Sequence, residues 1–535
     1  MPDLPRQPSD QPEPGPAPEP EGGAGTDLTR RGLLSGAAAL GAAAALPASA
    51  DARRRAHLAH RRKHRHRKGS RGSSPRPASS ADVIVVGGGL SGLVAARDVV
   101  AAGHSVMVLE ARERVGGRIW AFDLGSGNVA ERGATFLGPT QDHVAALAGQ
   151  LGVGTFPVYD QGNSVYYHDG QRSLYSDTSP TGTAPLDPTI LADLALVVSD
   201  LDNKASTVDV NSPWSNPNAA SWDAMTLETY VASMSQSARF RKLATVAARP
   251  IFGCDARDIS LLFVVFYIAS SGNEQNVGTF ERNFNTRGGA QMSRFVGGSQ
   301  LLPERLAASL GSRVMLGQVA RTVVQGAKGV QVTTDRATVS GRRVIMAMPP
   351  ALAGRIRYDP LLPEARDQLM QRMAQGNLVK ATAVYDRPFW RDAGLNGQTV
   401  SLDGLANVTF DDSPEDGSKG VLLSFVGGDS ARRYFSLSAT DRRQAVLNDY
   451  TNYFGPQALR PTTYIESNWA AEEFTRGCPV GLGTPGTIFE YGSTIRQPVG
   501  RIHWAGTETS NYWNGYMDGA VRAGQRAAQE VLAGL

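Results

Sequence analysis

The chain has 535 residues, more than one ordinary hydrophobic core organises, so two domains or one large interleaved pair are expected. Hydrophobic residues make up 41% and charged residues 19%, values that exclude a wholly disordered or fibrous chain. The net charge of +4 is uneven: residues 1–50 hold three basic and six acidic side chains and residues 51–80 hold eleven basic and one acidic, which leaves −3 on the body and nothing in it that points to nucleic acid. Cys254 and Cys478 are the two cysteines, too few for a disulfide framework, and two such distant thiols are expected to stay unpaired.

Residues 1–28 are rich in proline, glycine and acidic side chains, a composition that predicts disorder. Thr29-Arg30-Arg31-Gly32-Leu33-Leu34, an Ala/Leu/Gly run to Leu46 and Pro47-Ala48-Ser49-Ala50 then form the pattern of a twin-arginine export signal. The apolar run is about 14 residues, short of the roughly 20 that a spanning helix needs. Cleavage after Ala50 is expected, with the twin-arginine machinery as a partner and a secreted, periplasmic or cell-envelope destination. The alternative is an alanine-rich helix in a disordered tail. Arg53-Arg54-Arg55 and Arg61-Arg62-Lys63-His64-Arg65-His66-Arg67-Lys68 repel one another and read as a solvated linker, or as a polycation that holds the protein near anionic polymers. Its histidines lack acidic or cysteine partners, and no metal is expected.

Asp82 to Glu110 is a complete strand-helix-strand unit. Asp82-Val83-Ile84-Val85-Val86 reads as a buried strand, and Leu90, Leu93, Val94, Val99 and Val100 share much of one helical face; after a break at Gly103-His104, Val106 to Leu109 form a second strand. Gly87 permits the tight turn, Gly89 opens the helix N-terminus to a pyrophosphate, and Gly92 lets helix and strand pack closely. Glu110 stands roughly 20 residues beyond the loop, where a carboxylate accepts ribose hydroxyls. The unit predicts a dinucleotide site without distinguishing FAD from NAD.

Ala111-Arg112-Glu113-Arg114-Val115-Gly116-Gly117-Arg118 adds a second glycine pair and an arginine suited to the pyrophosphate. Here the sequence resembles the flavin-containing amine oxidase family, in its monoamine oxidase branch. Leu137-Gly138-Pro139-Thr140-Gln141, Phe295-Val296-Gly297-Gly298-Ser299 and Val344-Ile345-Met346-Ala347-Met348-Pro349-Pro350 continue the resemblance in the family's order to the C-terminus. It implies an α/β fold in which a Rossmann-type FAD-binding domain (81–158, 295–369 and 472–535) interleaves with a mixed α+β substrate domain (159–294 and 370–471). It also implies FAD as cofactor, with Gly87, Gly89, Leu90, Ser91, Gly92, Glu110, Ala111, Arg112, Gly117, Arg118, Gly133, Ala134, Thr135 and Val319 around it. Arg501 to Ala505 reads as a strand, followed by a turn with Gly506, Thr507 and Glu508 expected to contact FAD. A helix is predicted from Gly515, with Gly519, Ala520 and Gly524 on its close-packing side and Tyr516, Met517 and Ala520 near the flavin. The chain stops at Leu535, where membrane-anchored relatives continue into an apolar helix, so no membrane anchor is expected. A homodimer is a candidate assembly.

Substrate-side helices are predicted over Thr226 to Met234 and Ala238 to Ala248, and strands over Val379 to Tyr385, Thr399 to Leu402 and Gly420 to Phe425. The apolar run Ile259 to Ile268 offers a hydrophobic wall at Leu261 to Tyr267, or plain core. Lys380 sits in an apolar strand where a charge is costly, on the face shared by Leu378 and Thr382, so it either points into a cavity or is a surface lysine on a half-exposed strand. The resemblance assigns Lys380 to a water at flavin N5, Gln291 and Tyr516 to the substrate cavity, and Cys478 to a covalent flavin thioether, with a small buried thiol as the alternative. Trp469 is expected to help Tyr516 orient the amine. Pro479 stands where the animal enzymes carry a second tyrosine, so the aromatic sandwich is half built. The expected activity is oxidation of a primary amine with O2 to imine and then aldehyde, ammonia and hydrogen peroxide. The alternatives are a diamine or polyamine oxidase, for which the wall segments offer no obvious carboxylate; an L-amino-acid oxidase, with Arg282 or Arg287 as clamp; and an exported flavin-binding redox protein without oxidase activity.

Overall fold

The computed structural model describes residues 79–178, 185 and 187–535; the acidic leader, the expected export signal and the basic segment lie outside the described residues. The predicted unit is present as strand Ser79–Val86, helix Leu90–Ala101 and strand Val106–Leu109. The two strands pair in parallel with Val83 beside Val106. They belong to an eight-stranded sheet whose parallel centre runs Val314–Met315, Val106–Leu109, Ser79–Val86, Thr338–Ala347 and Ile502–Ala505. The antiparallel strands Gly329–Thr334 and Ala320–Gly326 and the short Arg357–Asp359 extend it. Val83, Ile84, Val85 and Val344 have no exposed surface, as strands covered on both faces require.

Helices Leu90–Ala101 and Met517–Leu532 pack on this sheet side by side. A Cβ on Gly524 would stand 2.3 Å from the Ser91 carbonyl oxygen, so glycine sets the approach of the two helices. The predicted start at Gly515 is two residues early because Gly515 has φ +86°, a left-handed conformation that ends the preceding turn.

A second, seven-stranded sheet runs in the order Thr463–Asn468, Leu378–Tyr385, Gly420–Gly427, Val408–Asp411, Leu395–Ser401, Asn163–His168 and Gln171–Tyr175. It is antiparallel except where Leu395–Ser401 meets Asn163–His168. Helices Leu191–Ala205, Leu227–Met234, Ala238–Phe252 and Leu261–Ser270 share one core with Tyr166 and Leu402. Thr226 and Ser237 cap two of them by accepting from the backbone N–H of Thr229 and Phe240. Among the described residues no helix is long and apolar enough to cross a membrane, and both cysteines are buried and free.

Candidate active site

The parallel strands end at one wall of a cavity of about 1120 Å³, which continues between the two sheets and is lined there by the second sheet and the helices beside it. Val86, Leu109 and Ala347 close its floor, as expected for a crevice at the carboxyl ends of parallel strands.

At the adenosine end the glycines divide their work. Gly87 has φ +112°, and a Cβ there would meet the Ala347 carbonyl oxygen at 2.4 Å; a Cβ on Gly92 would meet the Gly87 carbonyl oxygen at 2.1 Å. Gly89 has open space on its Cβ side and caps helix Leu90–Ala101 without any side-chain hydrogen bond, so the helix N-terminus faces the cavity bare. This is a cradle for a phosphate group. The Glu110 carboxylate is fixed at the cavity edge by the backbone N–H groups of Gly88 (2.7 Å) and Arg112 (2.8 Å). Ala111, Arg112, Gly117, Val319 and Ala320 line the same end. At the far end Thr507, Gly515, Met517 and Ala520 line the cavity around the uncapped N-terminus of helix Met517–Leu532, and Ser91 Oγ accepts from the Gly506 N–H at 2.9 Å. These features fit a flavin dinucleotide: open glycines and one helix end for the pyrophosphate, a carboxylate for the ribose, and a second helix end toward the ring.

Two of the predicted contact residues lie behind this surface. Gly92 does not line the cavity; it serves the close helix-strand contact. Glu508 is also set back, because its carboxylate accepts from Arg118 at 2.6 and 3.1 Å and from the Gly481 N–H at 3.3 Å. Arg118 lines the cavity, but its guanidinium also donates to the Pro479 carbonyl oxygen at 2.6 Å, so it ties the two ends of the site together.

Lys380 is 2% exposed. Its Nζ donates to the Gly133 carbonyl oxygen (2.7 Å) and Thr135 Oγ1 (2.6 Å), and Gly133, Ala134 and Thr135 line the cavity beside it. Leu378 shares its face and the cavity; Thr382 does not reach it. Burial draws Lys380 down to about 8, against Asp412 and Glu131, which raise it. Cys478 lines the cavity too; burial pushes its thiol up to about 12, while Arg118 and Lys380 pull the other way.

On the substrate side, the Gln291 side chain is buried at the cavity wall. Its Nε2 donates to the Asn283 carbonyl oxygen at 3.1 Å, and its Oε1 has no hydrogen-bond partner among the described residues. Tyr516 donates to Asn283 Oδ1 at 3.4 Å, and its ring lies 5.9 Å from Tyr267 and 4.8 Å from Trp513. Trp469 presents its ring to the cavity, its indole N–H being given to the Arg132 carbonyl oxygen at 2.9 Å. Of Leu261 to Tyr267 only Tyr267 reaches the cavity; the others are core.

Sequence reasoning missed the aromatic wall Phe136, Phe410 and Phe425, with centroids 5.3 and 6.0 Å apart in succession, and the buried charges Glu131, Arg294 and Asp412 near Lys380. Arg294, just ahead of the Phe295–Ser299 motif, carried a signal in its charge beside apolar neighbours. It also missed carboxylates: Asp177, Asp202 and Glu281 line the cavity. Arg282 and Arg287 do not line it. Arg282 donates to the Val277 carbonyl oxygen, and Arg287 pairs with Asp160 and Asp177 at 2.8 and 3.1 Å.

The chain is similar to known proteins over most of its length. The family model described as flavin containing amine oxidoreductase matches residues 90–532. The AofH protein of Mycobacterium tuberculosis (strain ATCC 25618 / H37Rv), whose name assigns it to the flavin-containing monoamine oxidases, is 38% identical over 457 residues, 85% of this chain and 98% of that protein. An L-amino acid dehydrogenase of Synechocystis sp. (strain ATCC 27184 / PCC 6803 / Kazusa) is 35% identical, covering 85% of this chain and 96% of its own. The solved structure of a putrescine oxidase bound to putrescine superposes with a TM-score of 0.80 at 34% identity, over 85% of this chain and all of that one. The chain therefore belongs to the flavin-containing amine oxidoreductase family, and its cavity is that of an FAD-dependent amine oxidoreductase.

Proposed function

We propose that the protein oxidises primary amines to imines, which hydrolyse to aldehyde and ammonia, with O2 as final electron acceptor and hydrogen peroxide as product. The observation that carries this reading is the unpartnered Gln291 Oε1, buried at the wall of the cavity that Tyr516 and Lys380 also line. A buried acceptor without a partner favours a ligand bearing an N–H. Bound FAD supplies the two-electron acceptor. The apolar walls favour the neutral amine over the ammonium, and Tyr516 and Trp469 offer π faces that orient it. Lys380, by its place in the family's pattern, holds a water at the reacting edge. Cys478, buried beside Arg118 and Lys380, is the candidate for a thioether to the flavin.

Anaerobic mixing tests the reading: a primary amine should bleach the flavin absorbance of the wild-type protein, and the absence of bleaching with every amine tried would end it.

A diamine is the second reading, favoured by Asp202 and Glu281 at the cavity, where an acid can receive a second ammonium. An amino acid is disfavoured, because Arg282 donates to the Val277 carbonyl oxygen and Arg287 is already paired with Asp160 and the cavity-lining Asp177. We further propose export by the twin-arginine route, on the strength of Arg30-Arg31 and the small-residue end at Ala50; N-terminal sequencing of mature protein beginning at Met1 would contradict it.

A further inference from the structure

Glu131, Asp412 and Arg294, from distant parts of the chain, meet behind the Gly133–Thr135 wall to which Lys380 is bonded. Glu131, Asp412, Arg294 and Lys380 are each at most 2% exposed. The Glu131 carboxylate accepts from the Ser299 N–H at 2.7 Å, and the single Ser299 hydroxyl proton is shared between the Ala134 carbonyl oxygen at 2.7 Å and Glu131 at 3.1 Å. The Glu131 N–H donates to Asp412 Oδ2 at 2.9 Å, Asp412 Oδ1 pairs with Arg294 at 3.0 Å, and Arg294 donates to the Ser413 carbonyl oxygen at 2.6 Å. Lys380 in turn donates to Gly133 and Thr135, two and four residues beyond Glu131.

We propose that Glu131 is a positioning residue for Lys380: it fixes the wall to which the ammonium is bonded and, with Asp412, keeps that ammonium charged inside an apolar site. The charges balance, with two cations and two anions, so removing one anion leaves a buried cation short of compensation. Lys380 faces Asp412 and Glu131, which favour its charge, Arg294, which opposes it, and the Cys478 thiol. Glu131 faces Asp412, Arg294 and Lys380; Asp412 faces Asp411 as well, which is held by Arg391 at 2.9 Å. Burial, then Asp412, pushes Glu131 up to about 7, so its charge, and with it the support for the lysine, fades as the solution is acidified through neutrality.

The consequence for turnover rests on the oxidase reading; the effect on lysine charge does not. The test follows the 13Cε resonance of Lys380 in the holoenzyme across pH, assigned by its loss in Lys380→Met. Glu131→Gln should lower the Lys380 midpoint by about one pH unit, an approximately tenfold loss of cation at fixed pH, and Glu131→Asp should restore it. The basic limb of the flavin reoxidation rate should move the same way. An unmoved midpoint in folded Glu131→Gln overturns the proposal, whatever the turnover; a moved midpoint without turnover supports it while ending the oxidase reading. If Glu131→Gln does not fold, the wild-type resonance decides: inflections near 7 and 8 support the coupling, and a single one at the ordinary lysine value of 10.5 overturns it.

Discussion

Arg118 and Glu508, 390 positions apart, meet in a two-pronged ion pair of 2.6 and 3.1 Å, with Arg118 at the cavity wall and Glu508 behind it. Arg118 follows the strand-helix-strand unit and Glu508 precedes helix Met517–Leu532, and this pair joins them. Glu508→Gln leaves a partly buried guanidinium without its anion, a change that costs up to about 3 kcal/mol. The variant should melt earlier and release FAD more readily than wild type. Equal melting and equal FAD retention would show that the pair holds nothing together.

Lys380→Met removes the ammonium but keeps the length of the side chain. FAD should stay bound, because Lys380 contacts Gly133 and Thr135 rather than the pyrophosphate cradle. Flavin reoxidation or turnover should fall by about tenfold or more, the loss expected for a positioned catalytic group. Stopped-flow reoxidation measures this directly, and unchanged rates would remove Lys380 from the mechanism.

Gln291→Ala deletes the unpartnered buried acceptor. The expected result is a drop in kcat/KM of about tenfold, equivalent to one hydrogen bond of about 1.4 kcal/mol, with FAD content unchanged. A variant with wild-type kcat/KM would place the amine elsewhere in the cavity.

Cys478 is the one cysteine at the cavity, since Cys254 does not line it. Acid precipitation of wild type should give a yellow pellet and that of Cys478→Ser a colourless one. A colourless wild-type pellet would exclude the thioether and leave Cys478 as a buried thiol.

The buried charges predict a stability profile. Glu131 is held near 7 in the folded chain, above the ordinary 4.5, so between these values the folded state binds more protons than the unfolded and stability falls as pH rises. Lys380 is held near 8, below 10.5, so the folded state binds fewer protons in that window and stability rises with pH. Together their contribution is smallest between about 7 and 8. The difference in Tm, wild type minus Glu131→Gln, should therefore decline from pH 4.5 to about 7; a flat difference would contradict it.

The cofactor half of the site was legible because its signals are local. The tight turn at Gly87, the open Gly89 and the carboxylate of Glu110 lie within one strand-helix-strand unit, where period and spacing carry the information. Lys380 stood out as a charge in a strand that otherwise rejects charge, but that alone left a surface lysine equally open, and the family resemblance around Arg387 to Trp390 decided it. What makes that charge tolerable was not legible: Glu131, Arg294 and Asp412 come from three remote segments, and pairing across such distances leaves no trace in any window of sequence. Glu508 was assigned to the cofactor by the family resemblance, together with Gly506 and Thr507 in one turn, yet its carboxylate is taken by Arg118. The run Leu261 to Tyr267 is apolar enough for a wall or a core, and packing sends all but Tyr267 to the core. Asp202 and Glu281 escaped notice because an acid on a helix reads as solvated until the neighbouring helix is placed against it.

Peroxide release by purified, FAD-loaded protein given O2 and a panel of benzylamine-like amines, diamines and amino acids tests the proposed oxidase activity most directly. Peroxide should form with primary amines, in step with aldehyde and ammonia, and fall sharply in Lys380→Met. Silence across the whole panel would contradict it.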